Sequence, residues 1–408
     1  MKMKFLFIAF ALLLCQCGMA QQTVSLGKLI EYPDFSSSIV TSRDVFVWLP
    51  SDYSPKEKYD VLYMHDGQML FDANTTWNKQ EWGIDEVVGK LLNEKKIRSC
   101  IVVGVANIPE TRYADYFPQK ALKNLPDSVV SGNVSFNADN YLRFLVEEVK
   151  PFIDKEYSTN KSVEHTFVMG SSMGGLISLY ALCEYPEVFG GAACMSTHVP
   201  MILSKELSKE KADQWSRAFR NYLDENLPTA NSRIIYMDRG DATLDAYYPP
   251  YQDELDKLMR KKGWKGPMWV SKVFPGAAHT EVDWNKRLDN PLLFLLGTDR
   301  KDCICDKKDT DMSPDDYLIS KFKDADIVLL AEDHGVKENL DFVRKMIPKL
   351  YANGIYMLGM EFGAYEDQKQ LDSLINAPRY NEKLARQLMF NYNCLLYTSP
   401  SPRDLSTS

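Results

Sequence analysis

The 408-residue sequence lacks several features that would point to whole classes of protein. It has no excess of basic residues, with 48 Lys and Arg against 56 Asp and Glu and a net charge of −8. Nucleic-acid affinity comes mostly from basic side chains that neutralise phosphates, so this balance argues against a nucleic-acid partner. Beyond the N-terminal region no apolar run reaches the roughly 18 residues of a membrane-spanning helix, so no transmembrane segment is expected. Apolar residues at 45% and charged residues at 25% also exclude disorder, collagen and coiled coil.

The N-terminal region has the pattern of a targeting signal. Met1–Lys4 is basic, Phe5–Leu14 is an unbroken run of ten apolar residues, and Gly18-Met19-Ala20 supplies small residues for cleavage. This pattern predicts a cleaved signal peptide and therefore a secreted or periplasmic protein. Lipoprotein processing at Cys15 or Cys17 is the alternative.

Strand-like and helix-like segments alternate along most of the chain. The strand-like segments are Val45–Pro50, Tyr59–Met64, Cys100–Ala106, His165–Met169, Gly191–Met195, Arg233–Met237 and Trp269–Phe274. The helix-like segments between them include Asn140–Glu156, Leu176–Glu184, Glu210–Leu223 and Gln252–Lys262. Several strands are almost entirely apolar, as in sheets covered on both faces. The alternation predicts an α/β fold with a mostly parallel central sheet, whose functional loops follow the carboxyl ends of the strands.

Composition changes along the chain predict its domain organisation. Asp299–Asp316 is rich in charge and poor in helical pattern, which is typical of a linker. After it, strand-like Asp326–Leu330 and Gly354–Met360 flank helix-like Lys337–Leu350, the beginning of a second α/β unit. The final residues have no helical or strand period and resemble a translated sequencing adapter. The predicted parts are a signal peptide at 1–20, a first domain at 23–298, a linker at 299–316, a partial second unit at 317–393 and a non-native tail at 394–408.

One motif indicates a nucleophile. Gly170-Ser171-Ser172-Met173-Gly174 matches G-x-S-x-G directly between a strand-like and a helix-like segment. A nucleophile on such a sharp turn has a strained backbone, and glycines on both sides allow the strand and the helix to pass closely. The following helix also directs amide donors at a developing oxyanion. We therefore expect Ser172 to be the nucleophile.

The order of triad residues in this architecture selects the base. The nucleophile is followed by the acid and then by the histidine. Two of the five histidines precede Ser172, one follows it too closely for an intervening strand, and one lies beyond the predicted linker. The remaining one, His279, follows strand-like Trp269–Phe274 and is the expected base. The acid should follow the preceding strand, where Asp245 is favoured and Asp241 is close behind it.

The loop after the first parallel strand is the expected oxyanion site. His65-Asp66-Gly67-Gln68 follows strand-like Tyr59–Met64. A backbone N–H of Gly67 or Gln68, together with that of Met173, would form the oxyanion hole. The loss of one such donor typically costs about a hundredfold or more in rate.

With these residues placed, the sequence resembles the esterase D family of α/β-hydrolases, which contains enterochelin, feruloyl and acetylxylan esterases and S-formylglutathione hydrolase. The resemblance covers about residues 40–296. The matching segments are Tyr63–Gln68, Arg112 with Tyr116 and Pro118, Gly170–Gly175, and His279 with Trp284 and Arg287. It implies serine carboxylic-ester hydrolysis through an acyl-enzyme, with no metal or organic cofactor.

The substrate class is left open by these residues. Arg112, Tyr116, Trp82 and Trp77 lie in segments expected to border the pocket, where aromatic rings can stack on a sugar or a phenolic ring. Ordinary core packing is an equal alternative for Trp77 and Trp82. The leading hypothesis is a secreted serine esterase that acts on acylated carbohydrate or other small esters. The alternatives are a siderophore ester hydrolase of the enterochelin type and a catalytically inactive hydrolase-fold protein that binds a ligand.

The second unit contains a separate group of polar residues. Glu332 and His334 follow one strand-like segment, and Glu361 follows the next. The segment resembles the start of the TIKI-type, haem-uptake and erythromycin-esterase-like families, whose strand-end Glu and His residues carry the chemistry. These three residues are candidates for metal ligands or for an acid–base pair.

Overall fold

The computed structural model describes residues 22–125, 135–201, 208–230, 232–298, 313–322 and 337–355, together with positions 369, 373 and 383. Contacts within the chain divide it into two units, residues 1–306 and 307–408. The predicted signal peptide and non-native tail lie outside the described residues, as do Glu332, His334 and Glu361. Their assignments stay predictions.

An eight-stranded sheet forms the centre of the first unit. Its strands are β1 (Lys28–Phe35), β2 (Arg43–Leu49), β3 (Asp60–His65), β4 (Cys100–Val105), β5 (Thr166–Ser171), β6 (Gly191–Met195), β7 (Ile234–Arg239) and β8 (Trp269–Val273). They lie in the order β1-β2-β4-β3-β5-β6-β7-β8. The β1–β2 and β2–β4 pairs are antiparallel, and the strands from β4 to β8 pair in parallel. The predicted α/β fold with a mostly parallel sheet is therefore confirmed.

Helices cover both faces of this sheet. They are α1 (Ile84–Asn93), α2 (Arg112–Tyr116), α3 (Ala138–Arg143), α4 (Lys150–Glu156), α5 (Met173–Glu184), α6 (Lys209–Asn226), α7 (Pro249–Lys261), α8 (Glu281–Asn285) and α9 (Asp289–Leu296). A π-helical turn, Phe144–Val149, joins α3 to α4. The predicted helix Asn140–Glu156 is thus helical throughout.

Alternate residues of each strand feed two separate cores. In β2, Val45 and Val47 pack with residues of α3, α5, α6 and α7, whereas Phe46 and Trp48 pack with residues of α1, α8 and α9. This follows from the two-residue period of a strand, which directs successive side chains to opposite faces. Two covered faces explain why the central strands are apolar throughout.

The second unit is described by its helices. α10 (Pro314–Lys321) begins inside the predicted linker at 299–316, because Ser313 accepts a hydrogen bond from the amide of Asp316 and caps the helix. α11 (Lys337–Ala352) confirms the predicted helix Lys337–Leu350. Lys349 pairs with Asp315 between the two helices. In the part of the chain that the structure describes, no helix is both long and apolar enough to cross a membrane.

Candidate active site

Ser172 occupies a sharp turn between a strand and a helix. β5 ends at Ser171 and α5 begins at Met173, and Ser172 between them has φ 56° and ψ −120°. This conformation is strained for a residue with a Cβ and persists only where the surrounding structure enforces it. Two backbone hydrogen bonds do so: the amide of Ser172 donates to the carbonyl of Met195 at 2.9 Å, and the amide of His198 donates to the carbonyl of Ser172 at 3.1 Å.

The two glycines of the motif contribute unequally to this turn. A Cβ at Gly170 would lie 2.7 Å from the backbone of Gly174, which is too close for any side chain. A Cβ at Gly174 would find ordinary contacts of 3.5 Å, to Asp66 and His65. Close passage of strand and helix therefore requires glycine at 170, while position 174 has room for a methyl group.

His279 is paired with Asp245 in the loops that follow β8 and β7. The Nδ1 atom of His279 lies 2.6 Å from Oδ1 of Asp245. The amide of His279 also donates to the hydroxyl of Thr243 at 2.9 Å, which fixes His279 to the loop that carries Asp245. Of the two predicted acids, the structure brings Asp245 to the histidine. Asp241 instead accepts a hydrogen bond from the amide of Gly276 at 2.6 Å, the role of a turn residue.

The carboxylate of Asp245 is buried and held from several directions. Its Oδ2 atom accepts from the amide of Gly240 at 2.6 Å and from the hydroxyl of Ser196 at 2.5 Å. Burial raises the pKa of Asp245, but the hydrogen bond and charge of His279 and the bonds from Ser196 and Gly240 outweigh it, so that the pKa lies below its usual value. Asp245 is therefore ionised at neutral pH.

Tyr248 connects Ser172 with His279. Its ring packs edge-on against the imidazole of His279, with centroids 5.7 Å apart, and its hydroxyl lies 2.8 Å from Nδ1 of His198. Burial and the charge of Asp245 raise the pKa of Tyr248 well above its usual value, against an interaction with the Ser172 hydroxyl that lowers it. The side-chain hydrogen bond that the structure shows for His279 is the one to Asp245. Hydrogen bonds between nucleophile and base are often completed only when substrate binds.

The predicted oxyanion loop packs directly on the first turn of α5. Gly67 begins a short 3-10 turn, Gly67–Met69, after Asp66 in the left-handed region at φ 59°. A Cβ at Gly67 would lie 2.6 Å from the backbone of Gly104, so only glycine fits there. The amide of Met173 lies in the first turn of α5, where amides have no carbonyl partner within the helix. Gly67, Gln68 and Met173 thus lie on two adjoining segments, and their role as oxyanion donors stays a prediction.

Arg112 forms an ion pair with Asp66, in the predicted oxyanion loop. Its Nε and Nη2 atoms donate to the two carboxylate oxygens of Asp66, each at 2.7 Å, and Asn107 donates to the same carboxylate at 2.6 Å. The amide of Asp66 donates to the hydroxyl of Tyr116 at 3.2 Å. Burial, opposed only in part by the charge of Asp66, lowers the pKa of the neighbouring His65 to about 3, which keeps this imidazole neutral.

The aromatic residues expected around the pocket lie in different environments. Trp82 is 3% exposed and packs against Trp284 at a tilt of 35°, with centroids 5.4 Å apart, and Tyr116 is fully buried. Burial argues against direct contact of Trp82 or Tyr116 with a substrate, which was the role expected of them. Trp77, by contrast, is 83% exposed. Its neighbour Asn78 donates to the carboxylate of Glu281 at 2.9 Å, two residues after His279.

Several residues that surround His279 and Asp245 could not be identified from the sequence. Ser196, His198, Tyr248 and the packing role of Trp284 depend on contacts between loops that are distant in sequence. A signal existed for Trp284 and Arg287, which belong to the segment matched in the family resemblance. Among the described residues, no group of three or more His, Cys, Asp or Glu side chains is arranged to hold a metal ion.

The sheet order, the turn at Ser172 and the pairing of loops after β7 and β8 are those of an α/β-hydrolase. Residues 36–295 match the family model described as "Putative esterase". The match covers more than half of the chain, so the protein belongs to this esterase family.

Individual relatives are more distant. The chain is 30% identical over 173 residues to the uncharacterised protein YjcH of Bacillus subtilis, covering 42% of this chain and 63% of that protein. It is 25% identical over 172 residues to the ferri-bacillibactin esterase BesA of the same organism, and the match covers 40% of this chain and 56% of BesA. It is 24% identical over 189 residues to an endo-1,4-beta-xylanase/feruloyl esterase of Xylanibacter ruminicola, and the match covers 44% of this chain and 23% of that protein. The chain therefore spans less than two thirds of each of these proteins. A solved ferulic acid esterase has 20% identity and a TM-score of 0.49, covering 66% of this chain and 98% of that one.

Proposed function

We propose that the protein is a serine carboxylic-ester hydrolase in which Ser172 is the nucleophile, His279 the general base and Asp245 the acid of the triad. The observation that carries this proposal is the 2.6 Å contact between His279 and a buried, ionised Asp245. Tyr248, which packs against His279, also interacts with the hydroxyl of Ser172, a serine in strained backbone. A carboxylate in this position holds the imidazole in the tautomer that leaves Nε2 free to accept a proton.

The reaction follows from these roles in two halves. The hydroxyl oxygen of Ser172 attacks the ester carbonyl carbon while its proton passes to Nε2 of His279, and a tetrahedral intermediate forms. Collapse of this intermediate breaks the bond to the alcohol, which leaves with the proton from His279, and an acyl-enzyme remains on Ser172. A water molecule then attacks the acyl carbon, gives its proton to His279, and the acid is released as Ser172 regains that proton.

The charge that develops in each half is balanced locally. The imidazolium of His279 is stabilised by the carboxylate of Asp245, whose lowered pKa keeps it ionised across the neutral range. The oxyanion would accept hydrogen bonds from the amide of Met173 and from that of Gly67 or Gln68. These donors belong to fixed backbone, so they need no reorganisation during the reaction.

Acylated carbohydrate is the substrate class we propose first. A tryptophan that is 83% exposed is an unusual surface residue, and Trp77 lies on the loop that is bonded to the start of α8, next to His279. An exposed aromatic ring stacks well on the apolar face of a sugar or on a phenolic acid. The related xylanase/feruloyl esterase is named for esters of this kind.

Siderophore ester hydrolysis is the rival, suggested by the relative BesA. A catecholate siderophore is strongly anionic and needs unpaired cations beside the nucleophile. Arg112, the cation expected there, is already paired through Nε and Nη2 with the carboxylate of Asp66, which balances its charge. This commitment favours the uncharged glycan ester.

We also propose that the protein is secreted or periplasmic, on the strength of the sequence of its first twenty residues. Sequencing the N-terminus of protein recovered outside the cytoplasm tests this. A start at Gln21 is expected for signal peptidase cleavage, a lipid-modified cysteine would indicate a lipoprotein, and a start at Met1 would contradict export.

Turnover of p-nitrophenyl acetate tests the reaction, and a panel of natural esters tests the substrate. We expect hydrolysis that is abolished in Ser172→Ala and in His279→Ala, with feruloylated or acetylated xylo-oligosaccharides preferred over a catecholate trilactone. Preference for the trilactone would support the siderophore alternative. Turnover no faster than buffer, and unaffected by Ser172→Ala, would support an inactive ligand-binding protein.

A further inference from the structure

We propose that Ser196 is a positioning residue that aligns the triad acid and connects it to a buried ion pair. Ser196 follows β6 directly and is fully buried. The proposal rests on the proposed function, because it assigns Ser196 a task only if Asp245 and His279 act as acid and base. It adds a serine to the site that is neither nucleophile nor oxyanion donor.

The hydrogen bonds of the Ser196 hydroxyl determine the direction of its proton. Its oxygen lies 3.0 Å from Nε1 of Trp284, 2.8 Å from Nη2 of Arg287 and 2.5 Å from Oδ2 of Asp245. An indole N–H and a guanidinium can only donate, and a serine hydroxyl has one proton and two lone pairs. Trp284 and Arg287 therefore occupy both lone pairs, so the proton must point at the carboxylate of Asp245.

A buried ion pair fixes this hydroxyl from behind. Arg287 lies 3.1 Å from the carboxylate of Asp238, and both side chains are buried. The amide of Ser196 donates to the carbonyl of Asp238 at 2.8 Å. Ser196 itself has φ 41°, a left-handed conformation that is costly for a residue other than glycine. The fold thus keeps a strained serine where glycine would fit the backbone better, which points to a need for the hydroxyl.

The hydroxyl of Ser196 is also linked to His279 through the side chain of Trp284. Trp284, whose indole N–H is bonded to Ser196, packs edge-on against the imidazole of His279 with centroids 5.0 Å apart. One oxygen atom therefore orients both the carboxylate that holds Nδ1 of His279 and the ring that packs against His279. Without it, Asp245 would keep only the amide of Gly240 on Oδ2, and two buried donors would lose their acceptor. Buried donors left without an acceptor carry a desolvation cost, which favours rearrangement of the side chains around Asp245.

Two variants separate the hydroxyl from the backbone strain. Ser196→Ala removes the hydroxyl and keeps the strain, whereas Ser196→Gly removes both. Ser216→Ala is the matched control, because Ser216 is also fully buried and accepts from an arginine, Arg220, at 2.9 Å, but lies in α6 away from the site. If the hydroxyl positions the acid, both variants at position 196 should be impaired and the control should not.

The measurements are kcat and KM for p-nitrophenyl acetate and the downfield proton resonance of the Nδ1–H of His279. We expect kcat to fall about 10- to 100-fold in both Ser196 variants, with KM within about twofold of wild type, since an acid that is misaligned but present retains part of its effect. The downfield resonance should broaden or move upfield in both. Ser216→Ala should match the wild type in kcat and in this resonance.

The outcomes distinguish this proposal from the one beneath it. If wild-type turnover depends on Ser172 but both Ser196 variants keep wild-type kcat and the downfield resonance, the positioning role is wrong and the triad stands. A loss of thermal stability in Ser196→Gly with unchanged kcat would assign Ser196 to folding alone. If wild-type turnover does not depend on Ser172, the proposed function itself fails.

Discussion

Replacing Asp245 with asparagine should disable the base without disturbing the fold. The two side chains have the same shape, but asparagine offers one acceptor oxygen and one NH2 donor group. In the wild type Oδ2 accepts from Gly240 and Ser196, and Oδ1 faces His279. Since the proton of Ser196 has nowhere else to point, the asparagine oxygen must take the Oδ2 position. Its NH2 group then faces Nδ1 of His279.

The consequence is the wrong tautomer of the histidine. With a donor opposite Nδ1, the imidazole proton moves to Nε2, the atom that must accept the proton of Ser172. For a triad disabled in this way the fall in kcat is on the order of 10³- to 10⁴-fold, which corresponds to about 4–5.5 kcal/mol in the activation barrier. The ester binds in the same place, so KM should change little.

Asp241→Asn is the matched control within the same loop. Asp241 accepts a single hydrogen bond from the amide of Gly276, and an asparagine oxygen can accept it equally well. Steady-state hydrolysis of p-nitrophenyl acetate should therefore show a large loss of kcat in Asp245→Asn and less than about a threefold change in Asp241→Asn. The reasoning is refuted if Asp241→Asn is the inactive variant, or if Asp245→Asn retains more than a tenth of wild-type kcat.

Three further predictions concern the loop at Gly240, the pH dependence of stability and the substrate contact of Trp77. A Cβ at Gly240 would lie 2.0 Å from the carbonyl oxygen of Ala277, so Gly240→Ala should lower the free energy of unfolding by about 1–3 kcal/mol and reduce turnover; an unchanged Tm in thermal denaturation would contradict this. Burial, followed by the hydrogen bond and charge of Glu86, raises the pKa of Asp85 to about 7, against about 3.9 in an unfolded chain. The stability contributed by the protonated carboxyl is therefore lost as pH rises from about 4 to 7, and Asp85→Asn should lose less Tm than the wild type between pH 5 and pH 8; equal losses would refute the assignment. Trp77→Ala should raise KM about two- to tenfold for a feruloylated oligosaccharide and leave KM for p-nitrophenyl acetate unchanged; equal effects on both esters would exclude a sugar or phenolic subsite.

Much of the fold could be predicted from the sequence because its strands are buried on both faces. Continuous apolar runs located β2 to β8 to within a few residues. β1 was missed because Lys28–Phe35 contains Glu31, Pro33 and Asp34 and is an edge strand, which needs no apolar pattern on its outer side. Helices α8 and α9 span five and eight residues, too few for a helical pattern of apolar residues to be recognised in the sequence.

Within the candidate site, the sequence could identify residues that belong to a motif or to a fixed order. Ser172 and His279 fall into that group, and their roles stay predictions. The choice between Asp241 and Asp245 depends on which of the two side chains turns inward from their shared loop. The amide of Asp241 donates to the carbonyl of Ala277, and the amide of Gly240 donates to the carboxylate of Asp245; these contacts decide it, and the sequence does not show them. Trp82 was expected beside the substrate because of its position in the chain, yet the loop turns its ring onto Trp284 in the core.

Reaction with a fluorophosphonate probe, followed by mass-spectrometric mapping of the modified peptide, tests the central claim most directly. Such a probe reacts with a serine only when a neighbouring base activates it. The account predicts a single adduct on Ser172 in the wild type, no adduct at that position in Ser172→Ala, and strongly slowed labelling in His279→Ala. An adduct on another residue, or labelling of Ser172 that is indifferent to the loss of His279, would contradict it.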